Sequence, residues 1–378
     1  MNNEKIKIVY VVSTVDFSYG MKWMGEFLPS EKYDVTFIFL YQKKPMLVDI
    51  FNKLGIKTIY FNYNSKYDLI KVAYRIYKLL RRIKPQIVHA HLFEASLASL
   101  VPAYVCGVLA RIYTRHHSSI HHDNFPNAVK YDRLVNRLAH KIVAISDNVK
   151  SILINKENVP ANKVVLIHHG FNFTEIIGND DKSDVVLNKY HLENTFPIIG
   201  VISRFTHFKG IQDIIPAFKI LLSEYPDAVL VLANAVGDYK NEIMEMLKII
   251  PESNTRIIEF ETNVFDLYRS FDVFVHVPID ATVEAFGQIY IEAMALKVPV
   301  VCTPSGVGYE YIENGKNAVV VPFGDSVAIE NGILKILKDK DFANRITEEG
   351  YKNVFELFEI KGMIKKLDEL YMQSLNGK

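Results

Sequence analysis

Apolar residues along this chain fall into two kinds of run that alternate over most of its length. Short β-branched runs, Ile6–Val12, Val35–Leu40, Ile87–His91, Ile112–Thr114 and Ile142–Ile145, are apolar at nearly every position, which marks strands covered on both faces. Between them lie helical patterns such as Leu69–Ile83, with Leu69, Val72, Ile76, Leu79 and Leu80 on one side. This alternation predicts a doubly wound parallel α/β sheet. From Thr174 to Asn194 the texture turns polar and acidic, as expected of a domain boundary. The rhythm then restarts, with strands expected at Ile198–Ser203, Ala228–Ala233, Arg256–Phe260, Val273–Val277, Val298–Thr303 and Val319–Val321. Asp325–Lys338 and Phe342–Tyr371 read as closing helices. Two similar α/β domains, residues 1–175 and 190–354, follow from the pattern.

Composition narrows the function more than the fold. The 378 residues carry 44 Lys+Arg against 43 Asp+Glu, a net charge of +1 without the basic excess of a dedicated nucleic-acid binder. Cys106 and Cys302 can supply neither a disulfide framework nor a four-thiolate metal site, which suits a reducing cytoplasm. The start, MNNEKIKIVYVVST, lacks the apolar core of a signal peptide. The longest uncharged run, Ala95–Ala110, is interrupted by Pro102 and Gly107 and falls short of the about 20 residues that span a bilayer. A cytoplasmic protein is expected, with peripheral contact at the inner membrane face as the one membrane role left open.

Ligands of such sheets bind where strands end and helices begin. The loop after the first strand, STVDFSYGMKWMGEF, offers only Gly20 and not G-x-G-x-x-G, so a nicotinamide-binding domain is not expected. Six of the twelve histidines fall within His89–His122, which raises a metal site or a catalytic base, against a plain reading as strand-end and loop residues. No downstream ligand set of metal spacing completes a site. Thr114-Arg115-His116-His117 directly follows a short strand and offers one candidate catalytic histidine, His116 or His117. In the second half, Arg204 and Lys209-Gly210 share one strand-to-helix loop, a pair of cations suited to a diphosphate. In VEAFGQIYIEAMA, Glu284 lies in the loop and Glu292 more than a turn into a helix. Between them, backbone amides at the positive helix end suit a pyrophosphate, with the two carboxylates free to grip hydroxyls on either side.

With these residues in place the chain resembles the GT-B glycosyltransferases of family four. The resemblance is carried by S-R-F-x-x-x-K-G at 203–210, S-F-D-V-F at 270–274, E-A-F-G-Q-I-Y-I-E-A-M-A at 284–295 and T-P-S-G-V-G-Y-E at 303–310, leading to N-G-K-N-A-V-V-V-P at 314–322. In the first half it rests on K-P-Q-I-V-H-A-H at 84–91, T-R-H-H at 114–117, A-I-S-D-N-V at 144–149 and K-V-V-L-I-H-H-G-F-N at 163–172. It implies two Rossmann-like domains facing across a cleft, an acceptor-binding one first and a donor-binding one second. The C-terminal helix, about 355–378, would pack back on the first. It also implies retaining transfer of a sugar from a nucleotide-diphosphate sugar, UDP-linked, to a cell-envelope glycan or a lipid-linked acceptor, with no metal and no other cofactor.

By resemblance, Arg204 and Lys209 would neutralise the leaving diphosphate, and Glu284 would hold donor-sugar hydroxyls. Amides at Phe286, Gly287 and Gln288 would bind sugar or diphosphate, and Glu292 the ribose. His116 would contact the donor sugar near the reacting carbon, with His117 its rival, and Gly20 would lie in the loop nearing the diphosphate. The nucleobase would sit near Phe260–Val264. Two departures stand out: a lone Gly20 where the family often shows a glycine pair, and Leu232-Ala233-Asn234-Ala235 in place of a glycine-rich turn. The rivals are a nucleotide-sugar epimerase, a metallohydrolase built on the histidine cluster, and a non-catalytic nucleotide-sugar-binding subunit. Lys66, Lys71, Arg75, Lys78, Arg81, Arg82 and Lys84 give the helix at 66–84 a basic side, a solvated face in the plain reading and a seat on anionic lipid in the sharper one.

Overall fold

A computed structural model of the chain describes residues 4–178 and 183–376; part of the polar boundary stretch and the last two residues of the expected C-terminal helix lie outside the described residues. The chain forms two compact units. One runs to Phe171 and takes back the chain from Phe358, and the other is Asn172–Leu357.

The first unit holds a seven-stranded parallel sheet of β1 (Ile6–Ser13), β2 (Tyr33–Tyr41), β3 (Lys57–Asn62), β4 (Ile87–His91), β5 (Ala110–Arg115), β6 (Lys141–Ala144) and β7 (Val164–Leu166). Their spatial order is β3-β2-β1-β4-β5-β6-β7. Val9 and Val11 of β1, Ile38 of β2 and Val88 of β4 bury against Val72, Ile76 and Leu80 of the helix Leu69–Ile83, the face its periodicity predicts. The second unit holds β8 (Ile198–Ile202), β9 (Val229–Ala233), β10 (Thr255–Ile258), β11 (Val273–His276), β12 (Val300–Cys302) and β13 (Val319–Val320), in the order β10-β9-β8-β11-β12-β13. Its core joins Val201, Val275 and Val301 to Ile214 and Phe218 of the helix Ile211–Leu221 and Ile333 of the helix Ser326–Lys338. Both sheets are the doubly wound kind expected.

Three features differ from the sequence reading. The edge strands β3 and β7 were not expected, because each is half-exposed and carries only a short apolar run. The polar stretch from Thr174 is not a linker throughout. The helix Phe173–Ile177 buries Phe173 and Ile176, and the helix Ser183–Lys189 buries Val186, so the division falls at Phe171 instead. The long closing helix is broken at Glu359, where the chain bridges Phe171 between Lys340–Phe358 and Ile360–Asn376. Gly170 makes this crossing, since a Cβ there would fall 2.8 Å from the Ile360 backbone.

The last helix is part of the first unit's core. Tyr371 is fully buried, touches the Tyr10 hydroxyl and shares a hydrogen bond of 2.7 Å with His89 Nδ1. His89 Nε2 continues to Thr114 Oγ1 at 2.8 Å, and Asp368 accepts from Lys32 at 2.6 Å and Tyr33 at 2.5 Å. Among the described residues no helix is long and apolar enough to cross a membrane.

Candidate active site

In the second sheet the strand order reverses between β8 and β11, the place where a doubly wound sheet parts its loops and admits a ligand. The loops that leave these two strands carry the residues singled out above. After β8, Arg204 is exposed, and its guanidinium has no hydrogen-bond or ion-pair partner among the described residues. The chain then turns at His207–Lys209 into Gly210, which has φ +75° and where a Cβ would fall 1.7 Å from the Val277 carbonyl oxygen. Only glycine lets this turn lie against the end of β11. The contact sets Lys209 Nζ on the Glu284 carboxylate.

Glu284 is also reached by His276, the last residue of β11, whose Nε2 lies 3.2 Å from the same Oε1. Its own backbone amide donates to Ser305 Oγ at 3.2 Å. Burial works against this carboxylate, but the His276 hydrogen bond and the Lys209 charge outweigh it and hold Glu284 down at about 2. Glu284 is therefore a fixed anion at neutral pH, with a cation beside it.

The helix Gln288–Ala295 follows, with Gly287 at its N-cap at φ +91°, where a Cβ would fall 2.8 Å from the Tyr290 ring. The helix has no side-chain cap and no acid in its first turn. The backbone amides of Gln288 and Ile289 donate to no described group, which leaves the positive helix end open to an anion. Gln288 is exposed, whereas Phe286 is buried and its carbonyl accepts from Val307 at 2.8 Å. Glu292 is buried in the helix and accepts from the Tyr268 hydroxyl at 3.0 Å. Burial dominates and pushes its carboxyl up to about 7, against the opposing Tyr268 bond. The two glutamates of one motif thus sit in opposite electrostatic states.

In the first unit the order reverses between β1 and β4, and the histidines gather beside that point, at the ends of β4 and β5. His91 Nδ1 and His116 Nε2 share a hydrogen bond of 3.0 Å, and His169 stacks on His116 with centroids 5.3 Å apart. Burial, then the neighbouring imidazoles, hold His91 and His116 well below the ordinary histidine value, so both are neutral. His117 points elsewhere: its Nε2 lies 3.5 Å from Asp132, which also accepts from His121 at 2.6 Å. The three could together hold a metal ion, a grouping the sequence reading did not find because Asp132 lies on a separate helix, Val129–Leu138. Arg115 is 3.1 Å from the same Asp132 carboxylate and already supplies it with a buried positive charge. Gly20 is not in a loop: it is the second residue of the helix Tyr19–Phe27, whose cap is Ser18.

The family model for glycosyl transferases group 1 matches residues 184–353, and that for Glycosyltransferase Family 4 matches residues 24–175. The chain is a GT-B glycosyltransferase of family four. The capsular polysaccharide biosynthesis glycosyltransferase CapM of Staphylococcus aureus is 27% identical over 311 residues, 80% of either chain. The crystal structure of a glycosyltransferase from Rickettsia africae superposes with a TM-score of 0.82 at 23% identity, covering both chains in full at 100%. Anabaena HepE in complex with UDP-glucose gives 0.83 at 17% identity, over 97% of this chain and 100% of that one.

Membership in the glycosyltransferases sets aside the epimerase and hydrolase readings of the sequence. In this glycosyltransferase the structure brings Lys209, Glu284 and the Gly287 helix end together, and puts Glu292 four residues into that helix. His276, Ser305 and Tyr268 were missed. A histidine closing an otherwise apolar strand was the available signal for His276, while Tyr268 and Ser305 join the site only through tertiary packing. The absent glycine turn after β9 is met by Asn234, which takes φ +62° as few other residues would.

Proposed function

We propose that the second unit binds a UDP-sugar and that the enzyme transfers the sugar, with retention at the anomeric carbon, to an acceptor of the cell envelope, a glycan or a lipid-linked glycan. The observation that carries this reading is the joining of Lys209, Glu284 and an uncapped helix end at the point where the strand order reverses. Supporting it, HepE was crystallised with UDP-glucose and CapM is a capsular polysaccharide enzyme.

The chemistry assigns a role to each group. The bond between the anomeric carbon and the β-phosphate oxygen breaks as negative charge grows on the diphosphate. Arg204, Lys209 and the amides at Gly287 and Gln288 stabilise that charge without a metal ion. Glu284, fixed as an anion, accepts hydrogen bonds from donor-sugar hydroxyls and keeps Lys209 in place. Glu292 takes the ribose hydroxyls. His116, held neutral, contacts the donor sugar near the reacting carbon. No side chain is assigned as nucleophile: the acceptor hydroxyl attacks the oxocarbenium-like carbon from the face the diphosphate leaves and passes its proton to the departing phosphate oxygen.

A thermal-shift screen of nucleotide-sugars tests the donor. The matching one, at 100 times its dissociation constant, adds about 2.7 kcal/mol of stability. Proton NMR of the product reads the anomeric configuration. Stabilisation by no UDP-sugar refutes the donor assignment, and an inverted anomer refutes the mechanism.

A further inference from the structure

We propose that His91 is a positioning residue for transfer: its Nδ1–H donates to His116 Nε2 and holds His116 as the tautomer whose proton is on Nδ1. The role rests on the reading above in which His116 meets the donor sugar. It makes His116 a hydrogen-bond donor to a sugar hydroxyl oxygen and not a base.

The two histidines of H-A-H at 89–91 are two residues apart on β4 and so project to one face, with ring centroids 4.5 Å apart. His89 has both nitrogens engaged, Nδ1 with Tyr371 and Nε2 with Thr114. His91 differs. It is 1% exposed, closes β4 opposite Thr114 and spends Nδ1 on His116 at 3.0 Å. Its Nε2 is enclosed and meets no hydrogen-bonding group among the described residues. Tyr10 and His89 pack against the ring instead.

That orphaned nitrogen decides the direction of the bond. Burial keeps both imidazoles neutral, so each ring carries one N–H and one bare nitrogen. Were His116 Nε2–H the donor, the His91 proton would sit on Nε2. That would be an enclosed N–H with no acceptor, which folded proteins avoid more strictly than an unmatched acceptor. With its proton on Nδ1, His91 donates and leaves only a lone pair on Nε2. His116 must then carry its own proton on Nδ1. His116 Nδ1 hydrogen-bonds to no described group and, unlike His91 Nε2, is not enclosed. His169 stacks on the ring at 5.3 Å and 19°, which holds its plane, while the His91 bond sets its rotation. Neither nitrogen of His116 can take the acceptor's proton, because His91 occupies the lone pair on Nε2 and Nδ1 has none. The departing phosphate oxygen is left to receive it.

The test begins with long-range proton–nitrogen NMR spectra of the nitrogen-15-labelled full chain at neutral pH, with His116 assigned by its loss in His116→Ala. His116 gives the pattern of the Nδ1–H tautomer. The Nε2–H pattern overturns the inference whatever the kinetics. In turnover with the matching UDP-sugar, His91→Leu lowers kcat and kcat/KM together, about 10–100-fold. His91→Asn, whose amide N–H can stand where Nδ1–H stood, recovers most of that loss, a rescue that a merely space-filling role would not give. Wild-type turnover in His91→Leu overturns the inference, and so does an Asn variant that melts like wild type and recovers nothing. Full activity in His116→Ala is a separate failure. It refutes the contact between His116 and the sugar, and the positioning role with it, while the spectrum still decides the tautomer.

Discussion

Replacing Lys209 with Met removes the cation from a carboxylate that is almost fully enclosed, the two side chains being 14% and 11% exposed. The distance between the ordinary 4.5 of Glu284 and about 2 in the fold corresponds, at 1.36 kcal/mol per pH unit, to about 3 kcal/mol of stability at pH 7. Because the folded carboxyl is held low, this stability is present above pH 4.5 and is lost as pH falls through about 2. Lys209 and His276 share the work, so Lys209→Met should lose about 2 kcal/mol at pH 7, and its acid loss should move up towards neutrality. Glu284→Gln needs no cation. In a cycle of Lys209→Met, Glu284→Gln and the double variant, followed by urea unfolding at pH 7 and pH 4, the coupling should be about 1–2 kcal/mol at pH 7 and smaller at pH 4. Turnover with the matching UDP-sugar should fall about 10²–10³-fold in Lys209→Met. Effects additive to within about 0.3 kcal/mol, with unchanged pH dependence, would refute the reasoning.

Glu292 provides the opposite case: its folded carboxyl is raised to about 7, so wild type should lose stability as pH rises from 4.5 to 7, by up to about 3 kcal/mol. Glu292→Gln should abolish that slope in melting curves while weakening UDP binding in calorimetry. His116→Ala should fold normally and lose about 10²-fold or more in kcat, whereas His117→Ala should chiefly lower the melting temperature by stripping a donor from Asp132. EDTA should leave wild-type turnover unchanged, and loss of activity on chelation with recovery on adding zinc would instead put His117, His121 and Asp132 to work. Gly210→Ala should be destabilised and poorly active, since its Cβ would displace the Val277 carbonyl and with it the Lys209 turn, and normal kinetics would show that the turn is not needed.

The central strands of both sheets were legible because enclosure on both faces leaves a continuous apolar run, as in Val229–Ala233 and Val273–His276. The edge strand Lys57–Asn62 was not, since half its surroundings are solvent and its sequence alternates irregularly. Among the candidate site residues, Arg204 and Lys209 could be read from one strand-to-helix loop, and Glu284 and Glu292 from the spacing of one loop-to-helix motif. Their electrostatic states could not. That Glu284 is an anion depends on His276 and Lys209, which reach it from the end of β11 and from the loop after β8, and that Glu292 is near half-protonated depends on its burial, which the Tyr268 bond only partly offsets. Likewise, the choice between adjacent His116 and His117 turns on which way each ring leaves the end of β5, towards His91 or towards Asp132.

The burial of Tyr371 against Tyr10 and His89 has a consequence during biosynthesis. The first unit cannot close its core until the helix Ile360–Asn376 has been made, whereas Asn172–Leu357 is one uninterrupted stretch. At roughly 5–20 residues per second the ribosome needs about 10–40 s to make that stretch. Throughout that interval the nascent first sheet shows an open apolar seam. Order of emergence and order of completion are therefore reversed: the later half can finish first, and the earlier half waits on the helix Ile360–Asn376. A stop codon ahead of Leu370 and Tyr371 would cost the enzyme its first domain rather than its tail.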